Sequence, residues 1–284
     1  MNLAQLESTA PVVVPRTIVY RTRGTTQGPI TRLVSPGDVG EIIKPFVFLD
    51  SFAAEPRGFG GMGWHPHSGI ATVSVLLSGS VGYEETTGQK GVLGAGSVEW
   101  MRAGKGVWHT GSLVGTERIE GFQLWVALPP ELEGAPAQSH YLAADDVATV
   151  GPARVILGKH GDAKSAIPTP SGLTYLVVSL AAGERWRYQP ARGHTVGFMA
   201  VQSGRVRTPE RVAAGELAVF DSADSAIDFV SDEASVFVLG SAVPHPHELV
   251  LGSYSVHTTR QALVEGEAEI RRIHSTTPML RGGR

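Results

Sequence analysis

Between Thr72 and Glu85 the chain reads Thr-Val-Ser-Val-Leu-Leu-Ser-Gly-Ser-Val-Gly-Tyr-Glu-Glu, β-branched and partly alternating, with a break at Gly79. That pattern predicts two strands around a turn, followed by a second turn at Thr86-Thr87-Gly88. Ser97 to Met101 and Phe122 to Leu128 are further strand candidates. In the latter, Phe122, Leu124 and Val126 share one face while Gln123 and Trp125 share the other. Pro129-Pro130-Glu131 ends the run, and Glu131 to Gly151, rich in Ala, Pro and Asp, reads as a connector with one helical turn. Strand patterns resume at Leu173–Leu180, Val196–Gln202, Leu217–Phe220, Ile227–Val230 and Val236–Leu239. Near the end, Thr258-Thr259-Arg260-Gln261 has the spacing of a capping box, opening a helix to about Arg272 with Leu263, Ile270 and Ile273 as its buried stripe. Gly266 costs that helix about 1 kcal/mol relative to Ala, so docking must hold it.

The two halves share a faint repeat. Ser78-Gly79-Ser80-Val81 followed by Ala95-Gly96-Ser97-Val98 recurs as Ser203-Gly204-Arg205-Val206 followed by Ala214-Gly215-Glu216-Leu217. One hairpin scaffold used twice explains this. With 284 residues, Gly 35 and Pro 18, the expectation is two β-rich domains, 14–145 and 150–284, the second ending in a helical segment.

A formal net charge of −3 without a basic run leaves no electrostatic footprint for nucleic acid. Cys 0 excludes disulfides and thiolate metal sites and suits a reducing compartment. No stretch of eighteen apolar residues occurs, and Met1 to Arg16 lacks the basic start and apolar run of a signal peptide. The expectation is a soluble, cytoplasmic protein that binds neither membrane nor nucleic acid, with a loose N-terminus and a frayed Arg281-Gly282-Gly283-Arg284.

The chemistry concentrates in Gly63-Trp64-His65-Pro66-His67-Ser68-Gly69 and Gly106-Val107-Trp108-His109-Thr110-Gly111. Side chains at i and i+2 of a strand point the same way about 7 Å apart, so His65 and His67 converge on one atom if His109 meets them from another strand. Imidazoles hold iron, nickel, copper, zinc or manganese. In the second half the positions equivalent to His65 and His67 are Pro190 and Arg192, which leaves only the first copy able to carry such a site. Trp64 and Trp108 are candidates for a cavity wall, Gln123 for a partner of a metal-bound water or of a neighbouring strand, and Asp50 for a turn. Pro244-His245-Pro246-His247-Glu248 repeats the His-x-His spacing without a clear third ligand, His257 being the only neighbour, and reads as a surface loop. His140, His160, His194 and His274 are isolated.

The blocks Pro45-Phe46-Val47-Phe48-Leu49-Asp50, His65-Pro66-His67-Ser68-Gly69, Gly91 to Gly104 and Gly121-Phe122-Gln123-Leu124-Trp125-Val126 resemble the pirin family of the cupin superfamily. The resemblance implies an all-β bicupin, two stacked jelly-roll-like barrels with a short C-terminal helix. It also implies one divalent transition metal, commonly iron, in the first barrel. Some members are flavonol-cleaving oxidoreductases of the quercetin 2,3-dioxygenase type; others act as regulators through protein partners. Three of the family's four metal ligands carry over, at His65, His67 and His109. The fourth, a glutamate, falls at Gly111, and a further family carboxylate falls at Ala71. Glu99, Glu117 and Glu120 are alternative donors among which the spacing does not choose. The leading expectation is therefore a metal-binding cupin acting on flavonol-like or other chelating enols, with the glutamate's absence weighing against flavonol chemistry itself. The alternative is a non-enzymatic binding or regulatory protein with a degenerate site.

Overall fold

The computed structural model describes residues 15–55 and 60–281. The sequence expectations for the N-terminus before residue 15 and for 282–284 lie outside the described residues. The chain forms two β-barrels on one plan. Each pairs a seven-stranded antiparallel sheet with a four-stranded one. In the first barrel the large sheet runs Gln138–Leu142, Val98–Arg102, Ile70–Ser78, Ile119–Ala127, Phe46–Ala54, Ile30–Val34, Thr25–Gln27, and the small sheet runs Met62–His67, Val107–Val114, Ser80–Glu85, Lys90–Gly94. The second barrel repeats this with seven strands centred on Val196–Ser203, Ser235–Ala242 and Leu173–Leu180, faced by Arg185–Tyr188, Ile227–Ser231, Arg205–Arg207 and Arg211–Ala213.

Alternation decides what each face meets. Phe122, Leu124 and Val126 point from the first barrel's large sheet into an apolar cluster shared with Tyr175, Phe198 and Val238 of the second. Phe46 meets Phe198 edge-on there, ring centroids 5.1 Å apart. The barrels are thus stacked back to back through their large sheets, and burial of each such side chain contributes about 1.5–3 kcal/mol. The turn foreseen at Gly79 is present, with φ of +70°, and a Cβ there would strike Ile119 and Arg118. Ile18–Thr22 crosses over to pair with Leu217–Phe220 of the second barrel.

Two local expectations are corrected. The Glu131–Gly151 connector carries its helical turn at Pro130–Glu133, but also an edge strand, Gln138–Leu142, whose polar sequence hides it. The C-terminal helix spans Arg260–Thr276 and is capped by Thr259, whose hydroxyl accepts from the Ala262 amide. There is no capping box. Thr258 is drawn off to Glu133 and Gln261 pairs with Glu265. The helix docks against the first barrel, and the hairpin Val250–Gly252/Ser255–His257 that precedes it lies at that barrel's mouth.

Candidate metal centre

His65 and His67 project from one face of the strand Met62–His67, and His109 on Val107–Val114 stands directly opposite His65 in the antiparallel register. Cross-strand neighbours share a face, so the three rings meet. Their ligating nitrogens all lie within 4.8 Å of one another. His67 Nε2 is 3.1 Å from His109 Nε2. Two nitrogens about 2.0–2.1 Å from one ion, at 90–110° to each other, lie roughly 2.9–3.4 Å apart, so the spacing fits a shared ion.

Hydrogen bonds behind the rings orient them. His65 Nδ1–H donates to the Gly63 carbonyl at 2.8 Å and His67 Nδ1–H to the Tyr254 carbonyl at 3.1 Å. Each leaves its Nε2 lone pair free to coordinate. Burial keeps all three neutral: it lowers His65, lowers His67 to about 3 with help from His65, and holds His109 well below the ordinary imidazole value.

The rings sit where two cavities join. An inner chamber of about 120 Å3 lies behind them, its wall formed by Phe52, Leu76, Leu93 and Ile119. An outer cleft of about 700 Å3 opens in front, bounded by Phe48, Trp125 and the hairpin residues Leu251–Ser255. His65, Asp50 and Gln123 line both.

Gly111 lines the inner chamber. A Cβ there would meet only Val81 Cγ1, at 3.6 Å, so the missing carboxylate leaves open space. Ala71 faces the apolar cluster between the barrels and is remote from the histidine face. Of the three alternative carboxylates, Glu117 is exposed and Glu120 pairs with Arg118; only Glu99 reaches the chamber. It is buried, and its Oε2 accepts from Ser74 Oγ at 2.6 Å. Burial pushes its carboxyl up to about 7, opposed by Ser74 and reinforced by the charge of Glu85. Glu85, opposite His109 in the register, is tied to Ser139 and Tyr141. None of these carboxylates joins the histidine cluster itself.

Other expectations are redistributed. Gln123 does face the barrel interior. Asp50 lies mid-strand, paired with Arg32 (Nη2 to Oδ2 3.2 Å), because Arg32 stands opposite it on the neighbouring strand. Trp64 and Trp108 wall neither cavity; Trp108 donates from Nε1 to the Ile270 carbonyl of the C-terminal helix. The wall is Trp125, stacked on Phe48 at 4.0 Å. His245 and His247 lie in a loop as expected, but His245 is buried in it. His257 belongs elsewhere: its Nδ1 lies 3.1 Å from Glu133 Oε2 and its Nε2 2.9 Å from Ser68 Oγ, whose hydroxyl donates to Ser255 Oγ at 2.9 Å. That Ser–His–Glu chain has the connectivity of a nucleophile relay, yet Ser68 is fully buried and lines neither cavity. It works as a latch between the His67 loop and the C-terminal segment. Sequence reasoning missed it, along with Tyr254 and Ser74.

The comparisons agree with this architecture. The Pirin family model matches residues 29–126. A pirin-like protein of Caulobacter vibrioides is 33% identical over 192 residues, covering 63% of this chain and 67% of that one. Among solved structures, a quercetin 2,3-dioxygenase from Acinetobacter baumannii superposes with a TM-score of 0.85 at 23% identity, covering 93% of this chain and 99% of that one. A bacterial pirin from Escherichia coli, solved in complex with nickel(II), gives 0.63 at 20% identity, over 78% and 95% of the respective chains. Among the described residues no helix is long and apolar enough to cross a membrane.

Proposed function

The chain belongs to the pirin family, and from that premise we propose that its first barrel binds one divalent transition metal through His65, His67 and His109 and presents it to a chelating enol or phenol for oxygen-dependent cleavage. The convergence of three neutral imidazoles, two buried and one half-buried, carries the reading. Bound there, the ion supplies Lewis-acid polarisation of an enol oxygen and a centre for dioxygen chemistry. The protein's own share is positional. The Gly63 and Tyr254 carbonyls fix the ring tautomers, Gln123 and Asp50 present polar groups where the two cavities join, and Trp125 with Phe48 forms a flat apolar wall for an aromatic substrate. Three imidazoles without a carboxylate form a neutral ligand set that suits iron, nickel, zinc or copper. The quercetin dioxygenase and the nickel-bound pirin above make a phenolic substrate and a metal of this group the first choices. Elemental analysis of protein prepared without a His-tag or chelator, followed by oxygen uptake with flavonols and β-diketones, tests the reading. About one ion per chain and uptake with at least one chelating enol are expected; metal-free protein with intact folding overturns it.

Gly111 favours a second reading, a non-enzymatic binding or regulatory protein acting through a partner. At the family's fourth-ligand position the chain supplies neither a charge nor a base. Gly111→Glu has room to form and is expected to raise metal affinity at least tenfold. Enol turnover appearing only in that variant would assign the natural protein to the binding class.

A further inference from the structure

The position of the missing carboxylate has a cross-strand neighbour. His65 stands opposite His109, but two residues further along the partner strand Gly111 stands opposite Met62 and not Gly63, because Gly63 and Trp64 together face Thr110. This bulge reverses a side chain. Three residues from His65 in a regular strand, Met62 would point away from the histidines; the extra residue turns it back to the face it shares with Gly111 and His109. Two close approaches fix the irregular stretch. Thr110 Oγ1 donates to the Met62 carbonyl at 2.7 Å, and Gly61, at φ of +92°, lies so near the Gly111 carbonyl that a Cβ on it would overlap that oxygen. Met62 accordingly lines both the inner chamber and the outer cleft, as His65 does. Among the described residues no other sulfur-bearing side chain borders either cavity.

We infer that the Met62 thioether is the fourth donor of the first barrel's metal centre, supplied from across the strand pair at the level of Gly111, and that the site therefore prefers a soft ion, copper(I). The inference rests on the three-histidine reading above and names what completes it. A carboxylate at Gly111 would bring negative charge and favour ions that bind oxygen, whereas a thioether is neutral and polarisable and selects copper(I). With three neutral imidazoles it makes a four-donor set that carries no charge. The unbranched methionine side chain has three rotatable bonds with which to bring its sulfur to an ion. At 39% exposed, Met62 is not locked into the core and has the freedom to do so.

The test titrates metal-stripped, untagged full-length protein anaerobically with copper(I) against a chromogenic copper(I) chelator, and in parallel with nickel(II). Parent and Met62→Leu are compared, since leucine keeps the size and apolarity of methionine and removes only the sulfur. Copper(I) affinity is expected to fall roughly tenfold or more in the variant, while nickel(II) affinity changes by less than about threefold. The metal-free variant should melt like the parent. X-ray absorption at the copper edge should show one sulfur scatterer in the copper(I)-loaded parent and none in Met62→Leu. A parent spectrum without sulfur, or equal losses of affinity for the two ions, overturns the inference. Nickel(II) uptake through the histidines, with copper(I) held equally by parent and variant, sinks this inference and leaves the metal reading standing. Parent protein that takes up neither ion sinks the metal reading, and this inference with it.

Discussion

The two barrels are built from the same seven-plus-four strand plan and differ in what their inward positions carry. In the second, Tyr188, Met199, Val206, Ile227, Phe229 and Phe237 close the interior into a continuous apolar core. In the first, the inward residues include His65, His109, Glu99, Gln123 and Asp50, and the space between them is left as a chamber. One barrel is filled for stability. Its twin gives up packing to keep a polar, roomy interior, while the shared back-to-back core supports both. The counterpart of the histidine strand is Arg185–Tyr188, which buries Tyr188 where the first barrel presents imidazoles, while Pro190 and Arg192, the positions the sequence repeat offers, lie in the loop beyond its end.

His67→Ala is the sharpest way to break the comparison. It is expected to reduce bound metal from about one ion per chain to near zero by elemental analysis, while Arg192→Ala leaves it unchanged. Next in size, Phe229→Ala should cost about 3–5 kcal/mol in denaturant unfolding, as a ring lost from a closed core. Leu93→Ala, beside space that already exists, should cost about 2 kcal/mol or less; equal costs would mean that the first interior is as tightly packed as the second.

Glu99 gives the two barrels different pH responses. Its folded-state value, about 7, lies above the ordinary carboxyl value of 4.5. The folded protein thus holds a proton that the unfolded chain has released, and stability falls as pH rises from about 4.5 to 7. Glu99→Gln removes that dependence and should stabilise the protein by roughly 3 kcal/mol at most at pH 8, with little effect at pH 4. Unfolding curves across that range check it; an unchanged slope would place Glu99 in a wetter setting. His67 acts with the opposite sign, because its lowered value makes the protein lose stability as pH falls from 6.5 towards 3.

The smallest expected effect concerns the latch. A Cβ on Gly266 would lie 2.6 Å from His257 Nε2 and 2.7 Å from Ser68 Oγ. Gly266→Ala should therefore destabilise by about 1–3 kcal/mol, although Ala is the better helix former by about 1 kcal/mol. A gain in melting temperature instead would show that the helix docks loosely.

The barrels, their turns and the histidine trio were legible because local patterns encode them. Alternation in Phe122–Val126 separated the interface side from the Gln123 side, and the His-x-His spacing fixed two ligands on one face. What stayed hidden depends on distant pairing. Glu99 could be named as a candidate only alongside Glu117 and Glu120, since nothing local tells which strand face points into the chamber; a lone carboxylate among Val98, Trp100 and Met101 was the available hint. Asp50 found Arg32 through register, and Trp108 found the C-terminal helix rather than a cavity. Tyr254 and the Ser68–His257–Glu133 latch join segments more than 120 residues apart, beyond the reach of any motif.

The carbonyl that steadies His67 belongs to a residue 187 positions downstream. The first barrel's last strand ends at Leu142, 112 residues before Tyr254, so at a ribosomal rate of about 5–20 residues per second the barrel emerges roughly 6–22 s before its own histidine acquires that support. During this interval the nascent barrel has all three imidazoles but lacks the brace that sets one of them. On the metal reading proposed above, full affinity for the ion would therefore wait for the synthesis of the closing hairpin Val250–Gly252/Ser255–His257.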